Sequence, residues 1–277
     1  MSEVLRVEDL VVEFPAPGRG KFRAVSGVGF SLDAGRTVGI VGESGCGKST
    51  IARSIVRLQR PTSGRILLDG TDISQLSERR LRPLRARVQM IFQDPYGSLD
   101  PRLTAAEIVG EPLKLRGVRD RRRQARELLD RVELPESALD RRPAEFSGGQ
   151  RQRIGIARAL ACRPDVLVCD EATSALDVSV QAQVLALLKD IQAETGVAYV
   201  VISHNLGVVH ELSDDVLVLR RGEVVERGPV REVLAHPASD YTRALRDAAL
   251  DPTAMSGRKP RHLLTAISAN PDTGGKP

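Results

Sequence analysis

One stretch of the sequence has residue types and spacing suited to gripping a polyanion. Gly42-Glu43-Ser44-Gly45-Cys46-Gly47-Lys48-Ser49-Thr50 fits the pattern GxxxxGK[ST]. The apolar run Thr37 to Val41 precedes it, and a helical pattern follows from Lys48. Glycines let the backbone wrap so that several N–H groups converge on phosphate oxygens. The helix beginning near Lys48 aims the positive end of its dipole at the same place. Lys48 suits the β- and γ-phosphates of a nucleotide, the Ser49 hydroxyl suits Mg²⁺, and Thr50 suits the α-phosphate. A second feature is Val166-Leu167-Val168-Cys169, an apolar run that delivers Asp170 and Glu171 at its end. Open α/β sheets bind ligands at such strand ends. Adjacent carboxylates on a strand point differently, so Asp170 is expected to hold Mg²⁺ and Glu171 to polarise an attacking water. Read alone, this run is a weak motif and a solvated strand end. The loop at 42–50 gives it meaning. A third feature, Phe146-Ser147-Gly148-Gly149-Gln150-Arg151-Gln152-Arg153, places two glycines at a helix start. Ser147 there can cap the helix or donate to a phosphate.

Elements that would position these groups can be traced along the chain. Residues 4–14 and 22–32 are β-rich, with Pro15, Pro17, Gly18 and Gly20 between them, and suggest a hairpin or meander. Ile51, Ile55 and Leu58 follow a helical spacing with one buried face. Strands are expected at 65–68, at 88–92 ending on Gln93, at 166–169 and at 197–203 ending on His204. A further pair, 216–219 and 223–226, can turn at Arg221-Gly222. From about 94 to 163 the pattern is helical, with Ala125, Leu128, Leu129 and Val132 on one face. Arg119, Arg121, Arg122, Arg123 and Arg126 crowd that stretch and read as a solvated helix face. A helix with Val180, Val184, Leu187, Leu188 and Ile191 on one face is expected to stop at Gly196. Strands alternating with helices imply a mainly parallel sheet, here with an antiparallel N-terminal part.

Composition narrows the class. A chain of 277 residues corresponds to about two average domains, or one large α/β domain with a smaller insert. With 41% hydrophobic and 28% charged residues, it is an ordinary globular balance. No apolar run approaches the roughly 18–20 residues that cross a bilayer. The start, MSEVLRVEDL, lacks a basic-then-apolar leader pattern, so secretion is not expected. Three cysteines (Cys46, Cys162, Cys169) without metal spacing read as reduced thiols. The net charge of +5 is mild, and aromatic residues are only 3%, which argues against a base-stacking nucleic-acid surface.

Taken in order, these motifs resemble those of the ATP-binding subunits of ABC transporters over about residues 4–245. The matching features are the P-loop at 42–50, a Q-loop at Gln93, a signature at 146–150 (FSGGQ in place of the commoner LSGGQ) and Walker B at 166–171. The D-loop Ser174-Ala175-Leu176-Asp177 and the switch histidine His204 complete the set. Residues 93–102, 176–184, Gly228-Pro229, His236-Pro237 and 241–245 further resemble dipeptide/oligopeptide (and nickel) permease ATPases.

The resemblance implies a P-loop NTPase (RecA-like) α/β core with an antiparallel N-terminal β-subdomain and an inserted α-helical subdomain. The nucleotide-binding domain would span 1–250, its helical insert about 94–163, and a flexible tail 251–277. It also implies ATP and Mg²⁺ as ligands and head-to-tail pairing of two such domains. Gly42, Ser44, Gly45, Cys46, Gly47, Lys48, Ser49 and Thr50 would hold ATP in one chain. Ser147, Gly148, Gly149 and Gln150 would meet the nucleotide of the partner chain, with Ser147 and Gly149 on its γ-phosphate. Asp177 would line the seam, and His204 would contact the γ-phosphate in cis. Gln93 would sense Mg²⁺ and the attacking water, joining Ser49 and Asp170 as a metal ligand. Catalysis would fall to Glu171, His204, Gln93 and Lys48. An aromatic near adenine is expected, with Phe14 the choice and Phe22 the alternate, although either suits the sheet core.

Implied partners are a second ATPase subunit (identical or a paralogue), transmembrane permease subunits and, indirectly, a solute-binding protein. No nucleic acid is expected. The place implied is the cytoplasmic face of the membrane. The solute is expected to be a peptide, with nickel or another solute, or a non-transport ABC ATPase, as alternatives. Position 172 is Ala where this sub-family often has Pro, and no cysteine follows Cys169, so no iron–sulfur cluster is expected. Cys46 reads as a tolerated small residue. His210, His236 and His262 read as surface or packing residues.

Overall fold

A computed structural model describes residues 2–250 apart from 17, 19 and 175. The expected tail (251–277), together with His262, lies outside the described residues. Among the described residues ten strands form two sheets: β1 (Glu3–Ala16), β2 (Gly20–Asp33), β3 (Thr37–Gly42), β4 (Ser63–Leu68), β5 (Thr71–Asp72), β6 (Val88–Ile91), β7 (Val166–Asp170), β8 (Ala198–Ile202), β9 (Asp215–Arg220) and β10 (Glu223–Pro229). The smaller sheet has the order β2-β1-β4-β5 and is antiparallel throughout. The larger has the order β10-β9-β3-β8-β7-β6, with every pair parallel except β9 and β10.

The helices follow in chain order: α1 (Lys48–Ile55), α2 (Glu78–Leu81), α3 (Pro95–Ser98), α4 (Ala105–Leu115), α5 (Arg121–Arg131), α6 (Gly148–Leu160), α7 (Val178–Thr195), α8 (Leu206–Leu212), α9 (Val230–Ala235) and α10 (Asp240–Leu250). Local sequence explains several ends. Thr104 and Glu107 form a capping box at α4. Gly196 stops α7 in the left-handed region at φ +69°.

β3, β7 and β8 are buried along their whole length, which is why they read as continuous apolar runs. Their side chains still alternate between two cores. Val166, Val168, Val200 and Ile202 join α1 and the small sheet on one face. Leu167, Cys169, Tyr199 and Val201 join α4 to α8 on the other. The central sheet is therefore the middle of three layers. Each fully buried Leu or Ile in these cores contributes about 1.5–3 kcal/mol relative to exposure. The Tyr199 hydroxyl, also buried, is satisfied by donating to the Leu188 carbonyl at 2.8 Å. Because β3, β6, β7 and β8 run parallel, their carboxyl ends reach one edge, and Gly42, Gln93, Asp170, Glu171 and His204 follow those ends.

One expectation needs correction. Ile51 and Ile55 are fully buried, but Leu58 does not share their face: it is 57% exposed. α1 ends at Ile55, and Arg57 turns the chain at φ +57°. The Arg57 side chain is buried and donates to the Ile73 carbonyl at 2.7 Å, so a buried cation redirects the chain where an apolar spacing suggested another helical turn. Helix α10 was not foreseen at all. The expectation for the arginine-rich stretch agrees with the surface ion pairs Arg122–Asp140 (2.8 Å) and Arg126–Glu136 (3.1 Å). No helix among the described residues is long and apolar enough to cross a membrane.

Candidate functional site

Strand β3 ends at Gly42, where the chain turns back on itself. Gly42 has φ +151°, and a Cβ there would lie 2.2 Å from the Leu219 carbonyl oxygen on β9. Gly47, at φ +109°, leads into α1, and its Cβ would lie 2.4 Å from the Ala24 carbonyl oxygen on β2. Both positions therefore require glycine, for backbone conformation and for space. Between them Cys46 turns inward. It is buried, and burial pushes its thiol above the ordinary value, which fits a small packing residue.

Lys48 is 4% exposed. Its Nζ donates to the Gly42 and Glu43 carbonyls, both at 2.8 Å, and lies 3.8 Å from the Cys46 Sγ. No carboxylate among the described residues lies within ion-pair distance of it. A buried ammonium held only by neutral carbonyls and a weak sulfur acceptor still lacks a counter-ion, and a phosphate would supply one. The next residue, Ser49, donates its hydroxyl to Asp170 Oδ1 at 2.9 Å. Asp170 is also 4% exposed. Burial raises its pKa, opposed by the Ser49 hydrogen bond. A hydroxyl and a carboxylate side by side are hard oxygen donors that fit Mg²⁺ shared with phosphates. No cluster of three His, Cys, Asp or Glu able to form an all-protein metal cage occurs among the described residues.

Glu171 follows β7 in the left-handed region at φ +50°. Its backbone N–H donates to the Ile202 carbonyl at 2.9 Å, fixing it beside β8. Two groups flank its carboxylate. Gln93 Nε2 donates to Oε2 at 2.7 Å, and His204 Nδ1 lies 3.3 Å from Oε1. The carboxylate is thus oriented from both sides and only 16% exposed, a geometry suited to accepting a proton from water.

A cleft of about 530 Å³ is lined by Phe14, Phe22, Ala24, Ser44, Gly45, Gly47, Lys48, Ser49, Thr50, Gln93, Glu171 and His204. Phe14 and Phe22 are cross-strand neighbours on β1 and β2. Phe22 is 58% exposed, whereas Phe14 packs partly into the core. Gln93 also lines a neighbouring groove of about 650 Å³ with Arg53, Leu58, Arg85, Arg158 and Asp170, so one side chain borders both. The groove accounts for the exposure of Leu58.

The residues at 146–150 and Asp177 are not among those lining the cleft. Phe146 is buried. Ser147 is exposed and caps α6, accepting from the Gln150 N–H at 3.3 Å while Gln150 Oε1 accepts from the Ser147 N–H at 3.0 Å. Gly148 and Gly149 pack beside Leu176 and Val180, at the start of α7. Asp177 stands exposed at the N-cap of α7, and Ala175 lies outside the described residues. His210 and His236 are exposed.

Sequence reasoning missed Tyr241 on α10. Its hydroxyl oxygen accepts from the Glu43 N–H at 3.1 Å, against the loop at 42–50. No spacing rule links residues 198 positions apart. The only trace was the stretch 241–245, which resembled a sub-family without indicating a role.

Comparison with known proteins agrees with this geometry. The family model for ABC transporters matches residues 25–174. The oligopeptide transport ATP-binding protein AppF of Bacillus subtilis is 50% identical over 230 residues, 82% of this chain and 70% of its own length. The di/tripeptide transport ATP-binding protein DppF of Pseudomonas aeruginosa is 45% identical over 256 residues, covering 90% and 79%. Among solved structures, the dimeric, post-hydrolysis ATP-binding cassette MJ0796 bound to ADP and Pi superposes with a TM-score of 0.73 at 31% identity. It covers 82% of this chain and 99% of that one. The cassette cbiO1 from Clostridium perfringens, part of the complex cbiONQ, gives 0.74 at 28% identity, covering 96% and 100%.

Proposed function

We propose that this chain, which belongs to the ABC transporter family, is the ATP-binding and ATP-hydrolysing subunit of an importer of dipeptides or oligopeptides. The observation that carries the reading is the buried Lys48 ammonium. It sits in a glycine loop at the head of α1 without a counter-ion, facing a cleft that also holds Glu171. ATP meets that demand. Loop amides and Lys48 take the phosphates, and Thr50 supports them. A magnesium ion held by Ser49 and Asp170, with Gln93 as a further ligand, would neutralise charge between the phosphates. Glu171 accepts the proton of the attacking water while Gln93 and His204 hold its carboxylate in place. His204 reaches the γ-phosphate, and Phe14, with Phe22 as alternate, stacks near adenine.

The signature residues stand apart from their own chain's cleft, which supports their supply in trans. Ser147, Gly148, Gly149 and Gln150 at the α6 N-terminus meet the nucleotide of a second cassette, and Asp177 lies on the seam. That second cassette is an identical chain or a paralogue. We assign residues 1–250 to the nucleotide-binding domain and about 94–163 to its helical insert. Permease subunits hold the pair at the cytoplasmic face of the membrane, in a complex that a solute-binding protein supplies. Gln93, bordering both cavities, links nucleotide state to the helical side. The relatives' names as peptide-transport subunits support the choice of solute. The test is the dependence of turnover on association. ATP hydrolysis per chain should rise with concentration or on adding a second cassette subunit. Full-speed hydrolysis by a strictly monomeric form would overturn the reading.

A further inference from the structure

Helix α10 begins against the phosphate loop. Its Tyr241 is 6% exposed. The hydroxyl oxygen accepts from the Glu43 N–H at 3.1 Å, and the hydroxyl donates toward the Leu219 carbonyl at 3.5 Å. Arg220 covers the ring at 5.0 Å from its centroid. Burial pushes the phenol up to about 12, so it remains a neutral hydroxyl through the physiological range. Glu226 on β10 fixes the approach to this helix, its carboxylate accepting from the Ala238 N–H at 2.8 Å and the Ser239 N–H at 3.0 Å.

The Gly42 carbonyl and the Glu43 N–H belong to one peptide unit. The described chain contains no cis peptide bonds, so these two groups point in opposite directions. On one side the Gly42 carbonyl accepts from Lys48 Nζ at 2.8 Å. On the other the Glu43 N–H is held by Tyr241. A rotation of that peptide plane would move the carbonyl that aims the ammonium. We propose that Tyr241 is a positioning residue for nucleotide binding: it fixes the Gly42–Glu43 peptide plane, and so the direction of Lys48, and makes the seating of α10 depend on nucleotide occupancy. Such coupling is reciprocal: whatever loosens α10 weakens nucleotide binding, and bound nucleotide steadies α10.

This inference rests on ATP being the ligand of the cleft. Its test is Tyr241→Phe, which keeps the ring and the Arg220 contact and removes one oxygen. The dissociation constants of ATP and ADP should rise about three- to tenfold, the range that follows from losing one ordinary hydrogen bond. Turnover at saturating ATP should fall by less than the affinity does, because Lys48 is loosened and not removed and meets the phosphates in ground state and transition state alike. In the wild-type chain, ATP should slow amide exchange in α10, and in Tyr241→Phe that protection should be lost. A packing role alone would leave both readouts unmoved. Equal affinity and equal protection in the two proteins would overturn the proposal. Wild-type protein that bound no ATP would instead overturn the family reading beneath it. Should Tyr241→Phe fail to fold, Glu226→Gln loosens the same helix without touching Tyr241, and unchanged ATP affinity in that variant would also overturn it.

Discussion

Glu171→Gln separates proton acceptance from shape. The substitution keeps the side-chain length and one oxygen, which can still accept from Gln93 Nε2 as Oε2 does now at 2.7 Å. The new amide can face His204 Nδ1, now 3.3 Å from Oε1, if the ring presents a lone pair there. The strained backbone at φ +50° is unchanged, so folding stability should move by less than about 1 kcal/mol. What disappears is a base able to take a proton from water. General-base catalysis is worth about 10²–10⁴-fold, or about 3–5 kcal/mol of barrier. Removing a negative charge beside a triphosphate does not weaken ATP binding and is expected to strengthen it. The variant should therefore bind ATP at least as tightly as wild type, hold two cassettes together in the ATP state, and hydrolyse 100-fold or more slowly (a factor of about 10² or greater). Single-turnover phosphate release with parallel measurement of ATP affinity and size reads all three. Turnover within about threefold of wild type, set against the expected range, would refute the role given to Glu171. Lost ATP binding with a melted fold would refute the premise that the site tolerates the isostere.

Other expectations follow from local geometry. Gly42→Ala should lower stability by about 2–5 kcal/mol, combining backbone strain with the 2.2 Å clash against the Leu219 carbonyl oxygen. Gly45→Ala, at φ +81° in open space, should cost only about 1–2 kcal/mol; thermal melts of the two variants check the contrast. For Glu226, burial raises the pKa, but the nearby Thr242 hydroxyl and the hydrogen bonds from the Ala238 and Ser239 N–H groups outweigh it and leave the pKa below the ordinary 4.5. The seat it gives α10 is thus complete above that value and lost as pH falls through the lower, folded value. Protection of the α10 amides, taken relative to the intrinsic exchange rate at each pH, should fall in that acid window by an amount on the order of 1 kcal/mol, and Glu226→Gln should weaken that acid dependence.

What could be read from sequence was whatever is encoded locally. GxxxxGK[ST] needs its glycines because the backbone is bent within a few residues, and the bend at Gly42 and Gly47 is visible in the spacing itself. Apolar runs at 166–169 and 197–203 betray strands buried on both faces, so the placement of Asp170, Glu171 and His204 at one sheet edge was legible in outline. Leu58 misled because periodicity counts apolar residues and ignores what ends a helix. Here Arg57 supplies the end by trading a helical turn for carbonyls on the segment after β5. Tyr241 was invisible for a different reason: its partner is a backbone N–H, which carries no residue identity for a pattern to match.

The same distinction explains why the expected catalytic residues share one cleft while the signature residues 146–150 and Asp177 stand apart from it. The polar cleft groups Lys48, Ser49, Gln93, Glu171 and His204 follow the carboxyl ends of parallel strands, so one end of the larger sheet gathers them, while Phe14 and Phe22 reach the cleft from the smaller sheet. Ser147 and its glycines begin α6, whose start packs on Leu176 and Val180 beside Asp177. In the proposed assembly this capped helix start would take its anion from the other cassette. The buried Lys48, in turn, lacks a counter-ion among the described residues, and the cleft it faces is not lined by residues 146–150. On the proposed reading, two incomplete half-sites, one short of an anion and one short of a lid, would satisfy each other when two cassettes face one another. Hydrolysis that waited for that encounter would couple ATP cleavage to movement of the proposed permease subunits.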